Sequence, residues 1–159
     1  MKKISFICLM FLFILSSCGT VSPLIIVPNK EISITDKVVF NALQFEGVIY
    51  RRGGVTSGGF DCSGLIYTSF IKENILLPRQ SMYMANKGAE IRLDKARKGD
   101  LLFFITGRKS RKINHVGLIV SIEDNEINFI HSTSGRGVII SSLSEKYWKK
   151  SFLKATKVL

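Results

Sequence analysis

The chain has 159 residues, 46% of them hydrophobic, and sets 23 Lys and Arg against 12 Asp and Glu for a formal net charge of +11. That length supplies one domain with one core, not several. The basic residues are scattered, and the one denser run, Arg108-Lys109-Ser110-Arg111-Lys112, reads as a solvated loop, which argues against a nucleic-acid partner.

Lys2 and Lys3 precede an almost wholly apolar run from Ile4 to Leu15, followed by Ser16-Ser17-Cys18-Gly19. The run is too short for a transmembrane helix, which needs about 20 apolar residues. A basic start, an apolar middle and a small-residue end form the layout of a secretory signal. Leu15-Ser16-Ser17-Cys18 resembles a bacterial lipobox, whose Cys is lipidated and becomes the new N-terminus. The expectation is a signal over residues 1–17, then a lipidated N-terminus and tether over 18–33, where two prolines and no helical period occur. Removing 1–17 takes away two lysines and no acid, so +11 becomes +9. Residues 34–159 remain for the domain.

From Thr35 to Phe45, apolar residues fall at helical spacing, with Thr35 and Asp36 placed to start the helix and Gly47 to end it. Val48-Ile49-Tyr50 reads as a short extended piece, and Gly53, Gly54, Gly58 and Gly59 as a flexible loop. Cys62 to Phe70 again has helical spacing, with Asp61 and Ser63 suited to its first turn. A short helix is predicted around Ser81 to Lys87. Strands are predicted over 100–105, 116–122, 126–131 and 137–141, with turns at Asp124-Asn125 and Ser134-Gly135. A short turn near Glu145 to Lys149 leads to a last strand ending near Val158. Helices first and an antiparallel sheet second predict an α+β domain.

Cys62 is the only cysteine beyond Cys8 and Cys18. In an exported chain a thiol without a partner in its own domain bridges another molecule or does chemistry. A helix N-terminus stabilises an anion, so this position is expected to lower the thiol pKa. A buried apolar cysteine is the plainer alternative. The chain has two histidines, His115 opening one predicted strand and His131 closing the next. If the turn at Asp124-Asn125 makes a hairpin, the two imidazoles lie near one another at one end of a sheet. One could take the thiol proton while the other holds it in position. A Cys/His/His zinc site is the rival, but no HExxH or CxxC spacing supports it. Two unrelated histidines on strand ends are the third alternative.

Six pieces occur in order: Tyr50-Arg51-Arg52-Gly53-Gly54, Gly59-Phe60-Asp61-Cys62-Ser63-Gly64-Leu65, Leu77-Pro78-Arg79, Lys98-Gly99-Asp100-Leu101-Leu102-Phe103-Phe104, His115-Val116-Gly117 and Phe129-Ile130-His131. Together they resemble the NlpC family of bacterial cell-wall cysteine peptidases, over roughly residues 34 to 159. The resemblance implies a compact papain-like fold and a peptidoglycan hydrolase that cleaves amide bonds in stem peptides or crosslinks, next to a diamino acid. It implies Cys62 as nucleophile, His115 as base and His131 as the group that orients it. Tyr50, Asp61 and Ser63 fall where members bind the stem, and Arg79 where members place an arginine. Asp61 and Tyr50 could then hold a free stem amine.

Two departures bear on substrate preference. Arg51-Arg52 follow Tyr50 where an aromatic is frequent at the second position, and Gln80 follows Arg79 where a small hydroxyl residue is common. The resemblance implies no cofactor and no metal. Its partners are stem peptides, the membrane through lipid at Cys18, and room for a protein regulator; the expected state is a monomer. Gly19 after Cys18 resembles lipoproteins sorted to the outer membrane, facing the periplasm. Two other functions fit the same pieces: a wall-binding module that no longer cuts, and a thiol acyltransferase on a related fold.

Overall fold

The computed structural model describes residues 31–107 and 110–159. The expected signal, the expected lipidation site Cys18 and nearly all of the expected tether lie outside the described residues, as do Arg108 and Lys109.

Helix α1 (Ile34–Leu43) starts one residue before Thr35, because the Ser33 side chain accepts the Asp36 N–H and caps it. Val38, Val39 and Ala42 form its buried stripe. Gly47, at φ 83°, reverses the chain and donates its N–H to the Val138 carbonyl. The glycine-rich stretch differs from the loop expected there. It holds a small hairpin of β1 (Val55–Thr56) and β2 (Gly59–Phe60), strands too short to show an alternating pattern. Helix α2 (Cys62–Ile71) follows at once, capped by the Asp61 side chain on the Gly64 N–H. Helix α3 is a single turn, Ser81–Met84, continued to Lys87 by separate turns.

Six strands form one antiparallel sheet: β3 (Ala89–Ile91), β4 (Leu101–Phe104), β5 (His115–Glu123), β6 (Glu126–Thr133), β7 (Gly137–Ser142) and β8 (Phe152–Lys157). Their order is β3-β8-β4-β5-β6-β7, so the last strand slots in between β3 and β4. Strand β3 has no counterpart among the predicted strands; its three residues lie on an edge and are mostly exposed. The expected turn near Glu145 is helix α4 (Lys146–Ser151). The fold is α+β, with α1 and α2 against one sheet face.

Alternate residues along the strands feed two separate cores. Leu101, Phe103, Val116, Leu118, Ile130 and Val138 join α1 and α2. Leu102, Phe104, Ile119, Phe129 and Ala155 join Trp148 of α4 on the other face. Burial on both faces explains why Leu101-Leu102-Phe103-Phe104 is a continuous apolar run. At roughly 1.5–3 kcal/mol for each fully buried large side chain, these two layers hold the sheet that carries both histidines.

Candidate active site

Cys62 is the first residue of α2, half-buried and without a disulfide. Gly64 lets this helix start lie against the hairpin, since a Cβ there would collide with the Gly54 carbonyl oxygen. The thiol faces the β4–β5 loop, where Sγ lies 3.9 Å from the Asn114 carbonyl oxygen. Asn114 is fixed in turn. Its Oδ1 accepts from the Thr106 N–H (2.8 Å) and hydroxyl (3.0 Å), and its Nδ2 donates to the Thr106 carbonyl (2.9 Å).

His115 opens β5 and His131 lies near the end of β6. Asp124 and Asn125, both at positive φ (49° and 66°), form the tight turn between these strands. The predicted hairpin is present, and a bulge between Ile119 and Ser121 absorbs part of its unequal arms. From Leu118↔Ile130, continuing the register puts Gly117 across from His131. A Cβ at Gly117 would strike the Phe129 ring, so glycine lets Phe129 lie across β5 and leaves room for His115 to reach diagonally. His115 Nε2 and His131 Nδ1 are 2.9 Å apart, and His131 Nε2 lies 3.1 Å from the Ser141 hydroxyl of β7. Trp148 stacks on His115 (ring centroids 5.2 Å apart, 21°) and meets His131 edge-on at 4.5 Å.

Cys62 and His115 line one open cleft of about 500 Å³, together with Tyr50, Asn114, Arg136 and Trp148. On the other side of the thiol a second hollow, about 690 Å³, is lined by Tyr50, Arg52, Asp61, Ser63, Arg79 and Asn114, among others. Tyr50 and Cys62 border both halves. Arg79 reaches this hollow as a clamp. It donates to Asp61 Oδ1 (2.9 Å) and Oδ2 (2.8 Å), the Ser63 hydroxyl (2.9 Å) and the Gly54 carbonyl (3.2 Å). Asp61 also accepts from the N–H groups of Gly53 and Gly64 and from the Ser63 hydroxyl. The sequence places Tyr50, Asp61, Ser63 and Arg79 at substrate; the structure brings all four to the cleft and engages three of them with one another.

Electrostatics follow from this packing. Burial alone would raise the Asp61 pKa, but the Arg79 hydrogen bonds and charge and the Gly64 and Gly53 N–H groups hold it below the usual carboxylate range. Burial, and next the Asp61 carboxylate, push the Cys62 thiol up, against the N–H groups of Val116, Ser63 and Cys62 itself. The helix start was expected to lower this thiol pKa; its dipole is outweighed by desolvation and a neighbouring anion. Burial lowers His115 to about 4. Burial, His115 and Arg136 lower His131 further. These shifts all favour the neutral forms at rest, a thiol and two imidazoles. With His115 Nε2 turned to His131, Nδ1 is the nitrogen left for the thiol.

Residues 47–157 match the NlpC/P60 family, most of the chain. This chain belongs to the NlpC/P60 family. Among its relatives, a probable endopeptidase NlpC homolog of Haemophilus influenzae is 39% identical over 73% of this chain and 58% of its own length. A murein DD-endopeptidase/murein LD-carboxypeptidase, MepS, of Escherichia coli is 34% identical over 82% of this chain and 66% of its own. The chain thus spans about six tenths to two thirds of these two relatives. A crystal structure of an NlpC/P60 family protein from Bacillus cereus has TM-score 0.72 and 28% identity over 80% of this chain and 41% of that one. The α+β architecture is that of the NlpC/P60 fold, the compact papain-like arrangement that the motifs implied.

In this NlpC/P60 domain the histidine rings are turned to each other, and among the described residues no group of three or more His, Cys, Asp or Glu is arranged to hold a metal. Three features of the site were not read from the sequence. Asn114 sits in a loop. Trp148 is the sole tryptophan, on a helix read as a turn. Ser141 is a polar residue buried to 3% exposure within an apolar strand run, and that polar residue at an inward strand position is the signal that could have found it.

Proposed function

We propose that this protein is a peptidoglycan hydrolase, a cysteine endopeptidase that cuts amide bonds in wall stem peptides or their crosslinks. The observation that carries it is the 2.9 Å His115–His131 contact behind a thiol that shares a cleft with His115. A neutral thiol and a neutral base fit general-base attack, with proton transfer in step with bond formation. Cys62 Sγ attacks the amide carbonyl carbon while its proton passes to His115 Nδ1. The Cys62 N–H at the helix start faces the developing oxyanion. The C–N bond then breaks, the leaving amine takes the proton from His115, and a thioester remains. Water, giving a proton to His115, attacks the thioester; the thiol leaves and recovers that proton.

The names of the relatives support a wall amide as substrate, and the charges of the cleft refine the class. Asp61 is occupied by Arg79 and by backbone and hydroxyl donors, so a stem ammonium reaching it must compete with all of them. Arg52 and Arg136 line the two halves, and neither guanidinium is paired among the described residues. Glu145 shares the first half with Arg136, and in the second Arg52 and Arg79 outnumber Asp61. That excess of positive charge suits stems that present carboxylates there, which favours crosslinked or internal stem bonds over a free amino end. Lipid at Cys18 would hold the domain at the bacterial envelope, which the lipobox-like stretch supports, and Gly19 after it supports the outer membrane, facing the periplasm; the expected state there is a monomer.

Digestion of purified peptidoglycan tests the reading. Stem-derived fragments should be released, the release should survive EDTA, and iodoacetamide should stop it. Tight wall binding with no released fragment would favour the non-cutting module instead.

A further inference from the structure

His131 is fully buried, and each of its ring nitrogens has one partner: His115 Nε2 at 2.9 Å and the Ser141 hydroxyl at 3.1 Å. A neutral imidazole carries one N–H, so the three groups hold their protons in one of two registers. In the first, Ser141 donates to His131 Nε2, His131 Nδ1–H donates to His115 Nε2, and the His115 proton sits on Nδ1. That nitrogen, the one not turned to His131, is then protonated and cannot accept the thiol proton. In the second, His131 Nε2–H donates to Ser141 Oγ, and His131 Nδ1 accepts from His115 Nε2–H. His115 Nδ1 is then bare and can act as base.

When His115 becomes an imidazolium it must donate from Nε2, so only the second register survives through the reaction. That register leaves a buried N–H at His131 Nε2 whose one acceptor among the described residues is Ser141 Oγ. Without an acceptor, a buried N–H costs about 1–3 kcal/mol. Ser141 is held rigidly for this task. It lies across from Phe129 in the β6–β7 pairing, on the face that carries His131, and is itself buried.

We propose that Ser141 is a positioning residue that opens the reactive proton register of the histidine pair: its hydroxyl can serve either register, and by accepting the His131 Nε2–H it lets His115 Nδ1 take the Cys62 proton. The proposal rests on the reading of Cys62 and His115 as nucleophile and base. Ser141→Ala removes one oxygen atom and leaves His131 Nε2 without a partner. Both registers then lose a partner at His131 Nε2, but an unpaired buried N–H is rarer and costlier than an unpaired acceptor, so the pair favours the first register, with the proton on the wrong nitrogen of His115. A wrong tautomer in a comparable triad costs about 10⁴-fold in kcat. Here the register is biased and not locked, so kcat should fall by about 10–100-fold with KM unchanged.

The test joins kinetics on a defined muropeptide to nitrogen-15 NMR of the histidines in the full protein. In the parent, His131 Nε2 should carry the proton in at least part of the population. In Ser141→Ala that proton should move to Nδ1 and kcat should fall. Ser141→Thr, which keeps the hydroxyl, should restore both. A parent with unprotonated His131 Nε2, an Ala variant with unchanged tautomer, or one with full kcat would overturn the proposal. If the parent cuts no wall peptide at all, the functional reading fails, while the NMR comparison still decides the register.

Discussion

Acid should destabilise this domain well above the carboxylate range, and the two buried histidines carry the effect. Burial takes its pKa from 6.5 to about 4, at 8% exposure. Between those values the unfolded chain holds a proton that the folded chain refuses, so stability rises with pH there and is lost as pH falls. From pH 7.5 to 4.5 this one group should cost about 2–3 kcal/mol. His131 is shifted the same way and adds to the loss. Asp61 is also lowered, and its contribution fades only below the ordinary carboxylate value of 3.8. Asp100, raised by burial against the Arg97 N–H and the charges of Lys157 and Arg97, works in the opposite sense in the lower part of the window. Urea unfolding followed by circular dichroism at the two pH values reads the difference directly. His115→Gln should remove about 2 kcal/mol of it. A parent equally stable at both, or a Gln variant with the same slope, would refute a buried, neutral His115.

Alkylation of Cys62 by iodoacetamide, followed by peptide mapping, should accelerate with pH through and beyond the ordinary thiol value of 9.0. A plateau near neutrality would mean a resting thiolate instead. Arg79→Met should cost about 2–3 kcal/mol, since four hydrogen bonds are lost from a clamp only partly exposed. The melting temperature should fall by roughly 6–12 °C, and Arg79→Lys should recover less than half, because lysine lacks the planar fork. A change under about 1 kcal/mol would show that the clamp contributes little. Cys18→Ala should lose partition into detergent; unchanged partition would remove the lipid proposal.

Much of the architecture was legible because its signals are local. Asp61 caps the Cys62 helix where the sequence placed a cap, and Asp124-Asn125 turn the hairpin where two turn-forming residues stand together. The misses are of a different kind. Strands β1, β2 and β3 have two or three residues each, too few to show a period. Helix α4 gives only a turn signal in the sequence, because Tyr147-Trp148-Lys149-Lys150 buries a single residue, Trp148. The site divides the same way. Cys62, His115 and His131 are rare residue types at element ends, whereas Ser141 is one serine among several and is marked only by the partner folding gives it. The thiol pKa lies above the expectation because a helix dipole is visible in sequence and desolvation is not.

The most direct measurement is the digestion of a defined crosslinked muropeptide dimer by the protein and by its Cys62→Ala variant, with products identified by mass. The parent should convert the dimer to fragments broken at a stem or crosslink amide, and the variant, folded as judged by circular dichroism, should leave it whole. Equal cleavage by the Cys62→Ala variant, or an intact dimer with the folded parent, would contradict the assignment.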